Sequence, residues 1–287
     1  MPPVLIDIGA NLAHDSFDAD RTAVIGRAVR AGVAAIVVTG STVADSVRAL
    51  ELCRRWPARL RATAGVHPHH ASGFHEQEAA ALEALLADPL VVAAGECGLD
   101  YFRNFSPPAE QRRAFGLQLA FAARHARPLF LHQRDAHADF LAMLAEHPEL
   151  AARAVLHCFT GGPRELDDCL TAGLCVGITG WICDERRGAA LREAAPRIPS
   201  DRLMIETDAP YLLPRTLDPK PAHRRNEPMY LPAVLEALAR CRGDDPDELA
   251  VRVTENACRF FGLTLRQAPG ADGAAAYTLP EEQSVTH

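Results

Sequence analysis

The chain has 287 residues, 48% hydrophobic and 23% charged, a globular composition that excludes fibrous and low-complexity classes. A net charge of −7 argues against nucleic-acid binding by bulk positive charge, while leaving room for a local basic groove. The eight cysteines form no C-x-x-C pair, so neither a zinc ribbon nor a redox dithiol is expected.

Met-Pro-Pro leads straight into the apolar run VLIDIG (4–9), without the charged n-region of a signal peptide. No apolar run approaches the ~20 residues that a membrane helix needs. Cytoplasmic location with reduced thiols is the expectation. Residues 18–31 show helical spacing, with Val24, Ile25, Ala28 and Val29 on one side and Arg21, Arg27 and Arg30 on the other. Gly32 marks its end. Further apolar runs follow: AAIVVTG (34–40), RATAGVH (61–67), LVVAAGE (90–96), PLFLH (128–132), AVLHCF (154–159), LCVGITG (174–180) and RLMIETD (202–208). A second clear helical stretch spans 108–125, and Gly173 marks another helix end. Residues 228–262 predict one or two closing helices. Residues 265–287 are rich in Ala, Gly, Pro and polar residues and are expected to form a flexible tail.

Several runs are continuously apolar rather than alternating, as in parallel strands covered on both faces. Eight strand-helix units within residues 1–264 match a single-domain α/β protein of the (β/α)8 TIM-barrel type, which typically takes ~250 residues. A doubly wound open sheet is the alternative, but no G-x-G-x-x-G follows the first run.

The runs end on Asp7, Thr39, His67, Glu96, His132, His157, Thr179 and Asp208. One polar residue at a strand end is usually a turn-former. Six acids and histidines in register instead mark the C-terminal rim, where barrel active sites lie. Imidazole with carboxylate suits Zn, Mn, Fe or Ni, and carboxylates with water can hold Mg. A metal-dependent hydrolase is therefore the expectation. Glu206 and Asp208 are two apart on a strand, so both should point the same way and repel unless compensated. Asp208 suits metal contact and proton removal from water. Glu206 lies deeper and suits orienting a ligand histidine, giving it a supporting place in catalysis. Cys97 and Cys158 are read as packing residues against the helices. The loop 214–228 carries Arg215, Lys220, Arg224 and Arg225 against Asp218 and Glu227. Phosphate contact through Arg215 and Arg225 is one reading; a solvated loop is equally compatible. Arg103, beside Tyr101 and Phe102, combines a phosphate-binding cation with stacking rings, although such a trio is more commonly a packing cluster.

GVHPHH (65–70), GECGLDYFRN (95–104), LFLHQRDA (129–136), LHCFTG (156–161), IETDAPYLLPR (205–215) and RRNEP (224–228) together resemble the TatD family of metal-dependent deoxyribonucleases, from about residue 4 to about 262. The resemblance implies a TIM barrel of the metal-dependent hydrolase superfamily. It also implies divalent-metal hydrolysis of DNA phosphodiesters, commonly as a 3′-5′ exonuclease preferring single strands. By the same matching, Glu96, His132, His157 and Asp208 are expected metal ligands, with Glu96 between two metal positions. His67, Asp100, Tyr101 and Arg134 are expected around the substrate. Many relatives carry H-x-H at the end of strand one, where this chain has Gly9 and Asn11. That departure puts a second metal in question and shifts the expectation from Zn toward Mg or Mn, as one or two ions. The expected partner is single-stranded or frayed DNA, with no membrane and no stable protein partner. Two alternatives stay open: a barrel hydrolase of small amides, esters or nucleic-acid adducts, and a non-catalytic binding barrel.

Overall fold

The computed structural model describes residues 3–269 and 275–280. Eight parallel strands run in chain order around the sheet: β1 (Leu5–Ala10), β2 (Val33–Val38), β3 (Leu60–Ala64), β4 (Val91–Asp100), β5 (Leu129–Arg134), β6 (Ala154–Leu156), β7 (Cys175–Ile178) and β8 (Leu203–Ile205). Each coincides with one of the apolar runs read from the sequence. Beyond the assigned strands, β8 meets β1 through the Asp208 N–H donating to the Gly9 carbonyl at 2.8 Å and the Asn11 N–H donating to the Ala209 carbonyl at 2.7 Å. These bonds bring the first and last strands together, giving the TIM-barrel architecture.

Strand periodicity sorts the core into two layers. Ile6 and Ile8, Ala35 and Val37, Phe130, Val155 and Met204 form one buried cluster, the barrel interior. Their strand neighbours, including Leu5, Ile36, Val38, Leu129, Leu131 and Leu203, belong to a second cluster shared with the helices. Helix Arg21–Arg30 buries Val24, Ile25 and Ala28, as its pattern predicts. The closing segment forms two helices, Leu231–Arg242 and Pro246–Phe261. The second is capped by Asp245, whose carboxylate accepts from the Asp247 and Glu248 N–H groups. No helix among the described residues is long and apolar enough to cross a membrane.

The tail expectation needs correcting. Within 265–287, β9 (Arg266–Pro269) and β10 (Ala275–Thr278) form an antiparallel hairpin. Leu279 is buried in the interior cluster beside Phe261 and Leu263. Its N–H donates to the Ala58 carbonyl at 2.9 Å, and Arg61 donates to the Pro280 carbonyl at 3.1 Å. A composition argument misses the hairpin because one apolar anchor and long-range backbone bonds hold its described residues. Residues 281–287 lie outside the described residues.

Candidate metal centre and groove

Glu96 is carried by β4 where that strand lies close against β5. Gly95 has φ +140°, and a Cβ there would collide with the Phe130 carbonyl. Only glycine fits. The strand then delivers the Glu96 carboxylate into a ring of imidazoles. Its Oε1 lies 3.3 Å from His67 Nε2, 3.1 Å from His132 Nδ1 and 2.8 Å from His157 Nε2. Burial on its own would raise this carboxyl. The charge of His157, with hydrogen bonds from His132 and His157, outweighs burial and holds it well below the usual range.

The other nitrogen of each ring assigns its role. His67 Nδ1 accepts the His69 N–H at 3.1 Å. Burial pushes His67 down to about 4, so it is neutral, and this bond assigns its proton to Nε2, facing Glu96. His157 Nδ1 lies 3.3 Å from Glu206 Oε2. That assigns the Nδ1 proton toward Glu206 and turns the Nε2 face to Glu96, the arrangement of a ligand histidine backed by a carboxylate. His132 Nε2 is buried without a hydrogen-bond partner; Asp100 Oδ2, 3.5 Å away, is at ion-pair range only.

Glu206 and Asp208 both lie beside His157 but at different depths. The assigned strand stops at Ile205, and Asp208 adopts φ 54°, so the two-residue alternation ends before them. Glu206 is fully buried, and its Oε1 accepts the Cys158 N–H at 2.5 Å. Asp208 lies at the rim, held by Asn11 Nδ2 at 3.0 Å. Burial, then the Glu96 and Glu206 charges, push its carboxyl up to about 7 against the opposing pull of His157. Cys158 does not pack against the helices as expected: its Sγ lies 3.6 Å from Thr179 Oγ1, near the site. A Cβ on Gly9 would overlap Glu206 Oε2 and lie 2.8 Å from Phe130 Cζ. A side chain at position 9 requires Glu206 and Phe130 to shift. Asp7 turns inward to bind Thr207: Oδ1 accepts its N–H at 2.9 Å and Oδ2 its hydroxyl at 2.5 Å. Burial nonetheless pushes Asp7 up to about 8.

Of the residues expected around substrate, His67, Asp100 and Arg134 lie on the rim. Asp100 is buried, 2.6 Å from His69 Nε2, and caps its loop by accepting the Phe102 and Arg103 N–H groups. Tyr101 is turned elsewhere: its hydroxyl donates to Asp139 at 2.7 Å and accepts from Arg112. The basic loop is largely occupied too. Arg225 binds Asp20 at 2.8 Å and Glu227 at 2.9 Å, and Arg27 binds the same two acids. Arg215 lies 3.7 Å from Asp184 and 3.9 Å from Glu185. These arginines tie loops together over sequence separations that no local pattern reveals.

A groove of about 750 Å³ opens beside the centre, lined by His69, Asp100, Phe102, Arg134, Trp181 and Arg187 among others. Sequence reasoning missed Trp181 and Arg187. Nothing local marked either.

The donor set fits a divalent ion. His132 Nδ1 and His157 Nε2 face one Glu96 oxygen at 3.1 and 2.8 Å, and the buried His132 Nε2 lacks a hydrogen bond. The barrel with this rim defines a metal-dependent hydrolase of the TIM-barrel class. The sequence matches the family described as TatD related DNase over residues 6–262, and the chain belongs to that family. A protein from Dickeya dadantii (strain 3937) named 3′-5′ ssDNA/RNA exonuclease TatD is 54% identical over 257 residues, covering 90% of this chain and 97% of that one. One of the same name from Citrobacter rodentium (strain ICC168) is 51% identical over 264 residues, 92% and 100% of the two chains. Among solved structures, a TatD homologue from Escherichia coli K12 superposes with TM-score 0.83 at 27% identity, covering 91% and 98%. A TatD family hydrolase from Entamoeba histolytica gives 0.82 at 27%, covering 91% and 99%.

Proposed function

We propose that this chain is a divalent-metal-dependent exonuclease that removes nucleotides from the 3′ ends of single-stranded DNA and, as in the name of its relatives, RNA. The observation that carries this reading is the single Glu96 oxygen within 3.3 Å of three imidazole nitrogens, beside a groove lined with arginine and aromatic rings. Glu96, His132, His157 and Asp208 hold the ion, Mg or Mn. Gly9 contributes no ligand, so any second ion takes its ligands mainly from water and substrate. When bound, the metal supplies Lewis-acid polarisation of the phosphoryl oxygen and lowers the pKa of water.

The chain's own groups do the rest. Asp208 takes the proton of the attacking water as its oxygen bonds to phosphorus. The bond from phosphorus to the leaving sugar oxygen breaks, and the proton passes to that oxygen. Glu206 fixes the His157 ring. The His67 Nε2–H donates to a phosphate oxygen, and Arg134 neutralises phosphate charge. The full Glu/His/His/Asp set argues against a non-catalytic barrel.

The test uses protein stripped of metal, reloaded with Mg or Mn and given 5′-labelled single-stranded DNA. A ladder shortening from the 3′ end is expected, lost in His157→Ala. No cleavage with either ion, or hydrolysis of small esters alone, overturns the reading.

A further inference from the structure

Among the described residues, three aromatic side chains are exposed: Phe102 (56%), Phe105 (68%) and Tyr211 (52%). All three stand in loops on the metal-bearing rim, following β4 or β8. Apolar rings concentrated around one opening mark a binding surface. Two of them belong to a layered arrangement beside the groove. The Arg134 guanidinium lies 5.0 Å from the Phe102 ring centre and 5.5 Å from that of Trp181. Arg187 covers Trp181 at 4.3 Å. Phe105 stands edge-on to His69 at 4.7 Å, and His69 holds Asp100. The Trp181 indole nitrogen is buried without a hydrogen-bond partner.

Charge alone does not explain this surface. Arg187 is paired with Asp184 at 2.9 Å, Arg134 lies 3.8 Å from Asp135, and Glu165 also lines the groove. Arg134 and Arg187 are partly neutralised, while Arg103 adds a further cation to the lining, so phosphate contact alone does not account for the rings. Phe102 and Phe105, the exposed rings here, still leave ring surface open to solvent. Stacking needs a base whose own face is free, which a duplex does not offer, and it tolerates any sequence.

We infer that Phe102 in this groove and Phe105 beside its His69 wall form a base-stacking subsite for an unpaired strand and set the preference for single strands. The inference rests on the nuclease reading for its substrate class and deepens it. Phosphate and metal contacts bind any phosphodiester; the rings select unstacked bases.

The experiment measures binding of a fluorescein-labelled oligothymidine to the full chain without added metal, by anisotropy. An abasic strand of equal length is the comparison. Both Phe102 and Phe105 are exposed, so their replacement is compatible with folding, checked by circular dichroism. Phe102→Ala/Phe105→Ala is expected to weaken oligothymidine binding on the order of tenfold. Binding of the abasic strand and the salt slope should stay near those of the parent. Phe102→Trp should restore binding when combined with Phe105→Ala. Equal oligothymidine affinity in parent and double variant overturns the inference, as does equal loss for both strands. Because binding is read without metal, a parent that binds oligothymidine but cleaves nothing after reloading sinks the nuclease reading alone.

Discussion

Glu206 Oε2 lies 3.3 Å from His157 Nδ1 while the far nitrogen of the same ring lies 2.8 Å from Glu96. One imidazole thus joins a fully buried carboxylate to the candidate metal centre. Glu206→Gln keeps the shape but removes the charge that orients His157. Metal affinity should fall about 10–100-fold, read by calorimetric Mn titration, with the fold retained. Parent-like affinity would remove Glu206 from the supporting role.

His67 and His132 both face Glu96 Oε1, but their outer nitrogens differ. Accepting the His69 N–H assigns His67 a proton on the face toward Glu96, whereas His132 carries no such backbone bond. His132→Ala should abolish measurable metal binding. His67→Ala should bind metal nearly as the parent does and lose kcat instead. A His67 variant that loses metal as completely as the His132 variant would make His67 a ligand.

Gly9 leaves the space that Glu206 and Phe130 fill. Gly9→Ala should destabilise the fold by about 1–3 kcal/mol through overpacking, measured by chemical denaturation. Gly9→His should fare worse and add no metal site. Undiminished stability in Gly9→Ala would show that Glu206 moves aside easily.

Asp20 is held down to about 2 by hydrogen bonds from Arg225 and Arg27 that outweigh burial. Its folded pKa lies below the usual 3.8, so its contribution is present above that value. It is lost as pH falls from about 4 toward 2. Acid titration of the parent should show a stability loss in that window, and Asp20→Asn should lack that component. Arg225→Ala should lower the melting temperature while leaving KM for single strands unchanged. A large KM change would return Arg225 to the substrate.

The barrel was legible because apolar runs end abruptly on acids and histidines, and strand ends map directly onto one rim. Glu96, His132 and His157 gather as that rule requires. The rule failed where the regular backbone stops. The positive φ of Asp208 is not legible in the sequence. Arg225 is claimed by Asp20, 205 residues away, and Tyr101 by Asp139. Long-range pairing leaves no local sequence trace. The Arg134 layers are equally hidden, since Phe102 and Trp181 reach it from different loops.

Asp208 sits on the seam where the last strand meets the first, its N–H bonded to the Gly9 carbonyl. A ribosome makes this chain from the other end. Glu96, His132 and His157 emerge well before Asp208, and β1 waits unpaired on that side until β8 arrives. The carboxylate of Asp208 therefore joins the other three side chains only when the ring closes. A chain ended before β8 carries Glu96, His132 and His157 yet lacks both Asp208 and the bond that draws the last strand to the first.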